Sequence, residues 1–183
     1  MREIESKAKV DRPDCIKAEL ERRFGQGSEV HKKDHYFHLP GEYLQSLRIR
    51  EYDGKIEITT KHNSRDSNGE NNEEYEFLAA CGEYDKAVAF FHALGHEDYF
   101  IKRKDGWQWY ADDMHIELLS VNDLGCFAEV EILLPFGCSD EKADESGRKI
   151  RALLSSLGLE GCIETRSYRD MILERRRENG MES

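Results

Sequence analysis

Arg2-Glu3-Ile4-Glu5-Ser6-Lys7-Ala8-Lys9-Val10 opens the chain with a period of two. Successive side chains of a strand point to opposite faces, so Glu3, Glu5, Lys7 and Lys9 share one face and Ile4, Ala8 and Val10 the other. A solvated edge strand explains the pattern, its charges discouraging edge-to-edge association. A site explains it too. A hard divalent cation takes carboxylate oxygens together with substrate phosphates, and a nearby lysine adds a point charge for the phosphate. What decides between them is whether other strands repeat the pattern.

They do. Arg48 and Arg50 alternate with Leu47 and Ile49, and Glu57, Thr59 and Lys61 with Ile56 and Ile58. Glu74 and Glu76 oppose Tyr75 and Phe77. Lys102 and Lys104 share a face, as do His115 and Glu117, while Glu129 and Glu131 oppose Ala128, Val130 and Ile132. A sheet with helices on one face and water on the other accounts for this alternation. So does a sheet closed around its charged face with helices outside, which would enclose a ligand and remove edges. A charged interior requires acids and bases to pair, or metal and phosphate to neutralise them. Both signs occur here in similar numbers.

Turn and cap signals divide the rest. Asp53-Gly54 between two alternating runs predicts a hairpin. Pro13 predicts a helix start and Gly25 and Gly27 its end after Phe24. Further helices are expected over residues 83–94, with Ala87, Phe90, Phe91 and Leu94 inside, from Ser139 to Gly158, and from Ser167. Strands are expected at 30–39, stopped by Pro40-Gly41, and at 47–52, 55–61 and 73–78. Others follow at 99–110, with a turn at Asp105-Gly106, and at 114–121 and 127–134. Residues 62–72 are polar and aperiodic and read as a mobile loop. The chain shows no internal repeat and no linker, so one domain is expected over 1–173, with a charged, fraying tail at 174–183. Antiparallel strands with a few helical insertions imply an α+β or barrel fold, not an alternating βαβ one.

The 183 residues are enough for one well-filled core. A hydrophobic share of 38% is globular, and 36% charged exceeds the usual quarter or so. A net charge of −11 excludes general nucleic-acid or anionic-membrane binding, so an anionic ligand needs a local basic cluster. Five cysteines without a C-x-x-C pair read as reduced thiols. No apolar run approaches a membrane span and the start is charged, so a cytoplasmic protein is expected. His92 and His96 straddle Gly95, against a helical zinc pair. His31, His35 and His38 do not share one face and read as strand and surface residues. Trp107 and Trp109 share a face and read as packing. Arg175-Arg176-Arg177 lies among glutamates and reads as a solvated helix end.

Taken together, these residues resemble the CYTH, or triphosphate tunnel metalloenzyme, family. Glu3-Ile4-Glu5-Ser6-Lys7 is similar to its Glu-x-Glu-x-Lys signature, Leu47-Arg48-Ile49-Arg50 to its paired-arginine strand and Thr60-Lys61 to its lysine strand. Ile101-Lys102-Arg103-Lys104 resembles its basic strand, and Leu124-Gly125-Cys126-Phe127-Ala128-Glu129-Val130-Glu131 its Gly-x-Phe-x-Glu-x-Glu segment. Arg166-Ser167-Tyr168-Arg169-Asp170-Met171-Ile172 resembles the ending of the class IV adenylyl cyclase branch. The matches run in order from residue 3 to about 173.

The resemblance implies a closed eight-stranded antiparallel β-barrel, a tunnel with a charged interior and helices outside, that binds a triphosphate with Mg2+ or Mn2+. Glu3, Glu5, Glu129 and Glu131 would be metal-site residues. Lys7, Arg48, Arg50, Lys61, Lys102 and Lys104 would hold phosphate oxygens, with Lys7, Arg48 and Arg50 catalytic. Glu76, Glu117 and Tyr168 are further candidates. The chain departs from the family at Leu119, where an aspartate is expected and for which Glu117 is the substitute, and at Asn72, where relatives often carry an arginine.

Three readings follow. One is a class IV-like cyclase, converting ATP to cyclic AMP and pyrophosphate. The second is a phosphohydrolase of tripolyphosphate, thiamine triphosphate or a nucleotide in the same tunnel. The third, motivated by Leu119, is a phosphate-binding module without turnover. The implied partner is a small-molecule triphosphate, with no nucleic acid and no membrane; a homodimer is left open.

Overall fold

The computed structural model describes residues 2–38, 45–66, 69–80, 82–178 and 180, with the side chains of 45–46, 61–66 and 69–74 left aside. Pro40-Gly41 and the last three residues lie outside this set.

The described elements run β1 (Arg2–Val10), α1 (Pro13–Phe24), β2 (Ser28–Phe37), β3 (Gln45–Tyr52), β4 (Lys55–Asp66), β5 (Gly69–Ala79) and α2 (Tyr84–Ala93). They continue β6 (Asp98–Ala111), β7 (Met114–Val121), β8 (Gly125–Leu134), α3 (Asp140–Ser156), a 3₁₀ turn (Glu160–Cys162), β9 (Ile163–Glu164) and α4 (Tyr168–Glu178). The strands form one antiparallel sheet in the order β5-β4-β3-β2-β6-β7-β8-β1-β9, so the class is α+β.

The apolar faces point outward and are covered by helices. Leu20 of α1 and Ile150, Leu153 and Leu154 of α3 pack on Ala8, Ile116, Leu118, Val130 and Ile132. Phe91 of α2 packs on Phe37, Ile49, Ile56 and Ile58. Burying such side chains contributes about 1.5–3 kcal/mol each. This hydrophobic term holds the helices to the sheet and leaves the charged faces on the other side.

The sheet is not closed, which corrects the expected eight-stranded barrel. Strand β5, at one edge, and β1, next to the other, lie alongside each other. Among the described residues, however, no ladder joins them, and β1 pairs instead with β9 at Lys7↔Glu164 and Ala8↔Ile163. The β1 backbone groups that closure would use there are already hydrogen-bonded.

Other expectations change as well. Within the loop expected at 62–72, residues 62–66 and 69–72 are strand: β4 and β5 pair from His62↔Glu73 to Asp66↔Gly69. Ladder bonds join backbone groups and need no apolar alternation. The expected turn at Asp105-Gly106 is continuous strand, with Gly106 opposite Leu119. A Cβ at 106 would run into the carbonyl oxygen of Leu118, so this glycine marks close strand approach and not a turn.

In α2 the inner residues are Tyr84, Ala87, Val88 and Phe91, at i, i+3, i+4 and i+7, while Phe90 and Leu94 are exposed. Tyr75 and Phe77 of β5 are also exposed, because the cluster under α2 takes in only Ala79 from that strand. Helix α4 reaches Glu178, beyond the expected start of the tail.

The Asp53-Gly54 hairpin is as expected, with φ of 48° and 70° at its two turn residues. Ser139 caps α3, accepting from Lys142 N at 3.4 Å. Trp107 and Trp109 pack outward; Trp109 donates to Gly25 O at 3.0 Å.

Candidate functional site

One face of each of the strands β1 to β8 lines a cavity of about 610 Å³, and Ser167, Tyr168 and Arg169 at the start of α4 line it too. Eight lysines and arginines and eight carboxylates line it. This is the charged face seen in the sequence, turned inward because the apolar face is taken by the helices.

The charges are interleaved by register. Asp34 of β2, fully buried, sits opposite Arg50 of β3 and Lys102 of β6. It accepts from Arg50 Nε at 2.6 Å and Nη2 at 2.9 Å, and lies 3.0 Å from Lys102 Nζ and 4.0 Å from Arg48 Nη1. Burial alone would raise its pKa. Arg50, Lys102 and Arg48 outweigh burial and hold the carboxyl well below the usual range.

Arg48 Nη2 also donates to Glu57 Oε1 at 2.8 Å and to Thr59 Oγ1 at 2.9 Å. Its Nε is buried with no hydrogen-bond partner among the described residues. Lys104 Nζ donates to both oxygens of Glu129, at 2.9 and 2.7 Å, and Tyr168 OH donates to Glu129 Oε1 at 2.5 Å. Burial opposes charge on Glu129, but Lys104 and Tyr168 bring its pKa down to about 2. Lys32 Nζ donates to Glu117 Oε1 at 2.5 Å. Lys102 Nζ donates to Tyr36 OH at 3.0 Å; burial would raise that phenol, and Lys102 draws it down.

The candidates from the sequence therefore meet in one place. Glu3, Glu5, Lys7, Arg48, Arg50, Glu76, Lys102, Lys104, Glu117, Glu129, Glu131 and Tyr168 all line the cavity. Lys61 lies on β4, but its side chain is outside the described set. Around the Tyr168 ring stand Lys7, Lys102 and Lys104, with Nζ 5.1, 5.6 and 4.8 Å from the centroid.

Leu119 does not leave a hole in this array. It is 1% exposed and packs with Val30, Phe100, Phe127, Tyr168, Met171 and Ile172 in an apolar floor under α4. Glu117, two residues along on the same face, is at the cavity.

The sequence reading missed Lys32 and Asp34 and left Glu57, Gln108 and Tyr110 without a role. Lys32 and Asp34 carried no usable signal, because β2 is polar on both faces: His31, Lys33 and His35 alternate with them. His35 proves buried, with Nδ1 2.8 Å from Tyr84 OH and Nε2 2.8 Å from Asp98 on the helix side. His92 shares that Asp98 at 2.8 Å, and the two histidines form no metal cluster with it.

The donor chemistry fits a hard divalent cation. Glu5 stands opposite Glu131 and Glu117 opposite Glu129, which brings carboxylates of β1, β7 and β8 side by side on the cavity face. Among the described residues, no three ligating groups converge into a ready cage. Magnesium-type ions do not require one, since one or two carboxylates plus substrate phosphates complete their shell. Among the described residues, no helix is long and apolar enough to cross a membrane.

The model of the CYTH domain family matches residues 1–169. The PH1819 protein of Pyrococcus horikoshii superposes with a TM-score of 0.82 at 26% identity, covering 95% of this chain and 99% of that one. The PH1012 protein of the same organism gives 0.74 at 28% identity, over 91% and 96%. A proposed adenylate cyclase from Vibrio parahaemolyticus gives 0.74 at 19% identity, over 94% and 98%, a likeness of fold alone. No curated protein matches the sequence.

Proposed function

From the chain's membership of the CYTH domain family, shown by the match over residues 1–169, we propose that it is a divalent-metal-dependent enzyme acting on a triphosphate. The observation that carries this reading is the set of eight lysines and arginines, Lys7, Arg48, Arg50, Lys102 and Lys104 among them, that line one cavity. Guanidinium forks at Arg48 and Arg50 suit phosphate geometry, and Lys7, Lys102 and Lys104 supply point charges.

Glu3, Glu5, Glu129 and Glu131 are the residues that would hold Mg2+ or Mn2+. The bound ion would offset phosphate charge and lower the pKa of an attacking hydroxyl or water. The chain's own groups do the rest. Arg48, Arg50, Lys7 and Lys102 fix the phosphate chain, and Tyr168 and Lys104 orient the Glu129 carboxylate. Positioning and charge neutralisation are most of what phosphoryl transfer needs.

Within this class the cyclase reaction comes first. The ribose 3′-oxygen attacks the α-phosphorus and pyrophosphate leaves. What favours it is that Tyr168 and Arg169, from the segment resembling the cyclase ending, line the cavity floor. The second reading, hydrolysis at the terminal phosphorus, uses the same cations.

The test incubates the protein with ATP and, separately, with tripolyphosphate, each with Mg2+ and then Mn2+, and resolves the products. Cyclic AMP with pyrophosphate is the expected result. Orthophosphate alone would replace the cyclase by the hydrolase. Thermal stabilisation by triphosphate without any product would leave a binding module. Glu129→Gln and Arg50→Ala should each abolish turnover in folded protein, and full activity in both would refute the assignment.

A further inference from the structure

We infer that the end of the cavity away from α4 is a binding site for a nucleobase, built from Tyr110, His115 and Gln108. This rests on the triphosphate reading of the same cavity and assigns the part of the ligand that the phosphate array does not hold.

Tyr110 near the end of β6 stands directly opposite His115 at the start of β7. Their rings stack with centroids 4.6 Å apart and planes 8° apart. Both line the cavity, yet Tyr110 is 72% exposed. An aromatic ring on the polar, inner face of a strand buries little there. What it offers instead is a flat surface already held by a second ring. Bases stack on such surfaces whatever their identity, because every base has a π-face.

Gln108 supplies direction. Its Oε1 accepts from His115 Nε2 at 3.0 Å and Tyr110 OH at 3.4 Å. With the carbonyl held there, the NH2 end is the donor offered to a ligand acceptor, as a ring nitrogen or carbonyl of a base provides.

Position and charge separate this end from the phosphate array. Gln108 lies four residues beyond Lys104 on β6, about 13 Å at the rise of a strand, which is of the order of the reach from phosphate chain to base in a nucleotide. The carboxylates of Glu117 and Glu131 lie 3.8 and 3.7 Å from the His115 ring nitrogens. They disfavour further phosphate at this end and suit a neutral ring carrying amino groups. The cavity of about 610 Å³ falls in the range of sites that enclose ligands larger than a bare phosphate chain.

The experiment titrates ATP and tripolyphosphate, at fixed Mg2+, into the wild-type chain and into Tyr110→Ala and Tyr110→Phe. Tyr110 is exposed, so both variants should keep the wild-type thermal midpoint. Tyr110→Ala should weaken ATP binding roughly five- to a hundredfold, the span of lost base–aromatic stacking. Tyr110→Phe should restore it to within about a factor of a few, and tripolyphosphate affinity should hold in all three proteins. Unchanged ATP affinity in Tyr110→Ala, or equal weakening of both ligands, would overturn the inference while leaving the triphosphate site standing. Failure of the wild-type chain to bind either ligand would overturn that reading and this one with it.

Discussion

Replacing Asp34 with asparagine removes the negative charge on which Arg50, Lys102 and Arg48 converge, at 2.6, 3.0 and 4.0 Å. Asp34 is fully buried, so water cannot take its place without rearrangement. Breaking a buried ion pair by deleting one partner costs about 3–5 kcal/mol, because the other charge stays uncompensated. Here the lower end applies. Arg48 and Arg50 keep Glu57 at 2.8 and 3.9 Å, and Lys102 keeps the Tyr36 hydroxyl. A loss of about 3 kcal/mol in a chain of 183 residues corresponds to a fall of roughly 6–12 °C in thermal midpoint.

The same reasoning gives a second arm. The stranded cations should bind tripolyphosphate more tightly, so its stabilising shift should be larger in Asp34→Asn than in the wild type. Urea unfolding and thermal scans with and without tripolyphosphate measure both arms. A loss below about 1 kcal/mol, or an equal tripolyphosphate shift in the two proteins, would refute the claim that the acids hold the phosphate-binding cations in place.

Acid should find the same network. The Asp34 and Glu129 pKa values are depressed in the folded state, Glu129 to about 2, so their stabilisation is complete above the unfolded values near 4 and is lost as pH falls towards 2. Urea midpoints between pH 5 and 2 should fall steeply, and Asp34→Asn should flatten the slope. Tyr168→Phe deletes a hydrogen bond to a buried carboxylate and should cost about 1.5–3 kcal/mol and raise the Glu129 pKa, read by denaturation and by NMR titration. Gly106→Ala forces a methyl against the Leu118 carbonyl and should lower stability by about 1–3 kcal/mol. A neutral result would show that the strands can part there. Ser139→Ala should cost about 1 kcal/mol through the lost α3 cap, with triphosphate binding unchanged.

Much of the fold was legible in the sequence. Period-two alternation assigned Glu3, Glu5, Lys7, Arg48, Arg50, Lys102, Lys104, Glu129 and Glu131 to one kind of face, and Asp53-Gly54 marked its hairpin. Side-chain direction in a strand is a local consequence of backbone geometry, so it can be read residue by residue. Where local signals were ambiguous the reading failed. Gly106 read as a turn because a glycine needed for close approach looks the same in sequence as one needed for its dihedral angles. The polar stretch at 62–72 read as a loop because backbone pairing leaves no hydrophobic trace.

By itself, then, the sequence determined that strands with one charged and one apolar face would dominate, and that the charged set had the composition of a metal and phosphate site. Only the tertiary structure decided which charges meet. Asp34 and Lys32 lie on a strand polar on both faces, and they became part of the site when α2 claimed the His35 and Phe37 side. Strand order was also settled in three dimensions: among the described residues β1 pairs with β8 and β9 and not with β5. The pairing of Lys104 with Glu129, and of Tyr110 with His115, depends on strand order and register, and those are set by the competition of all the strands for the same neighbours.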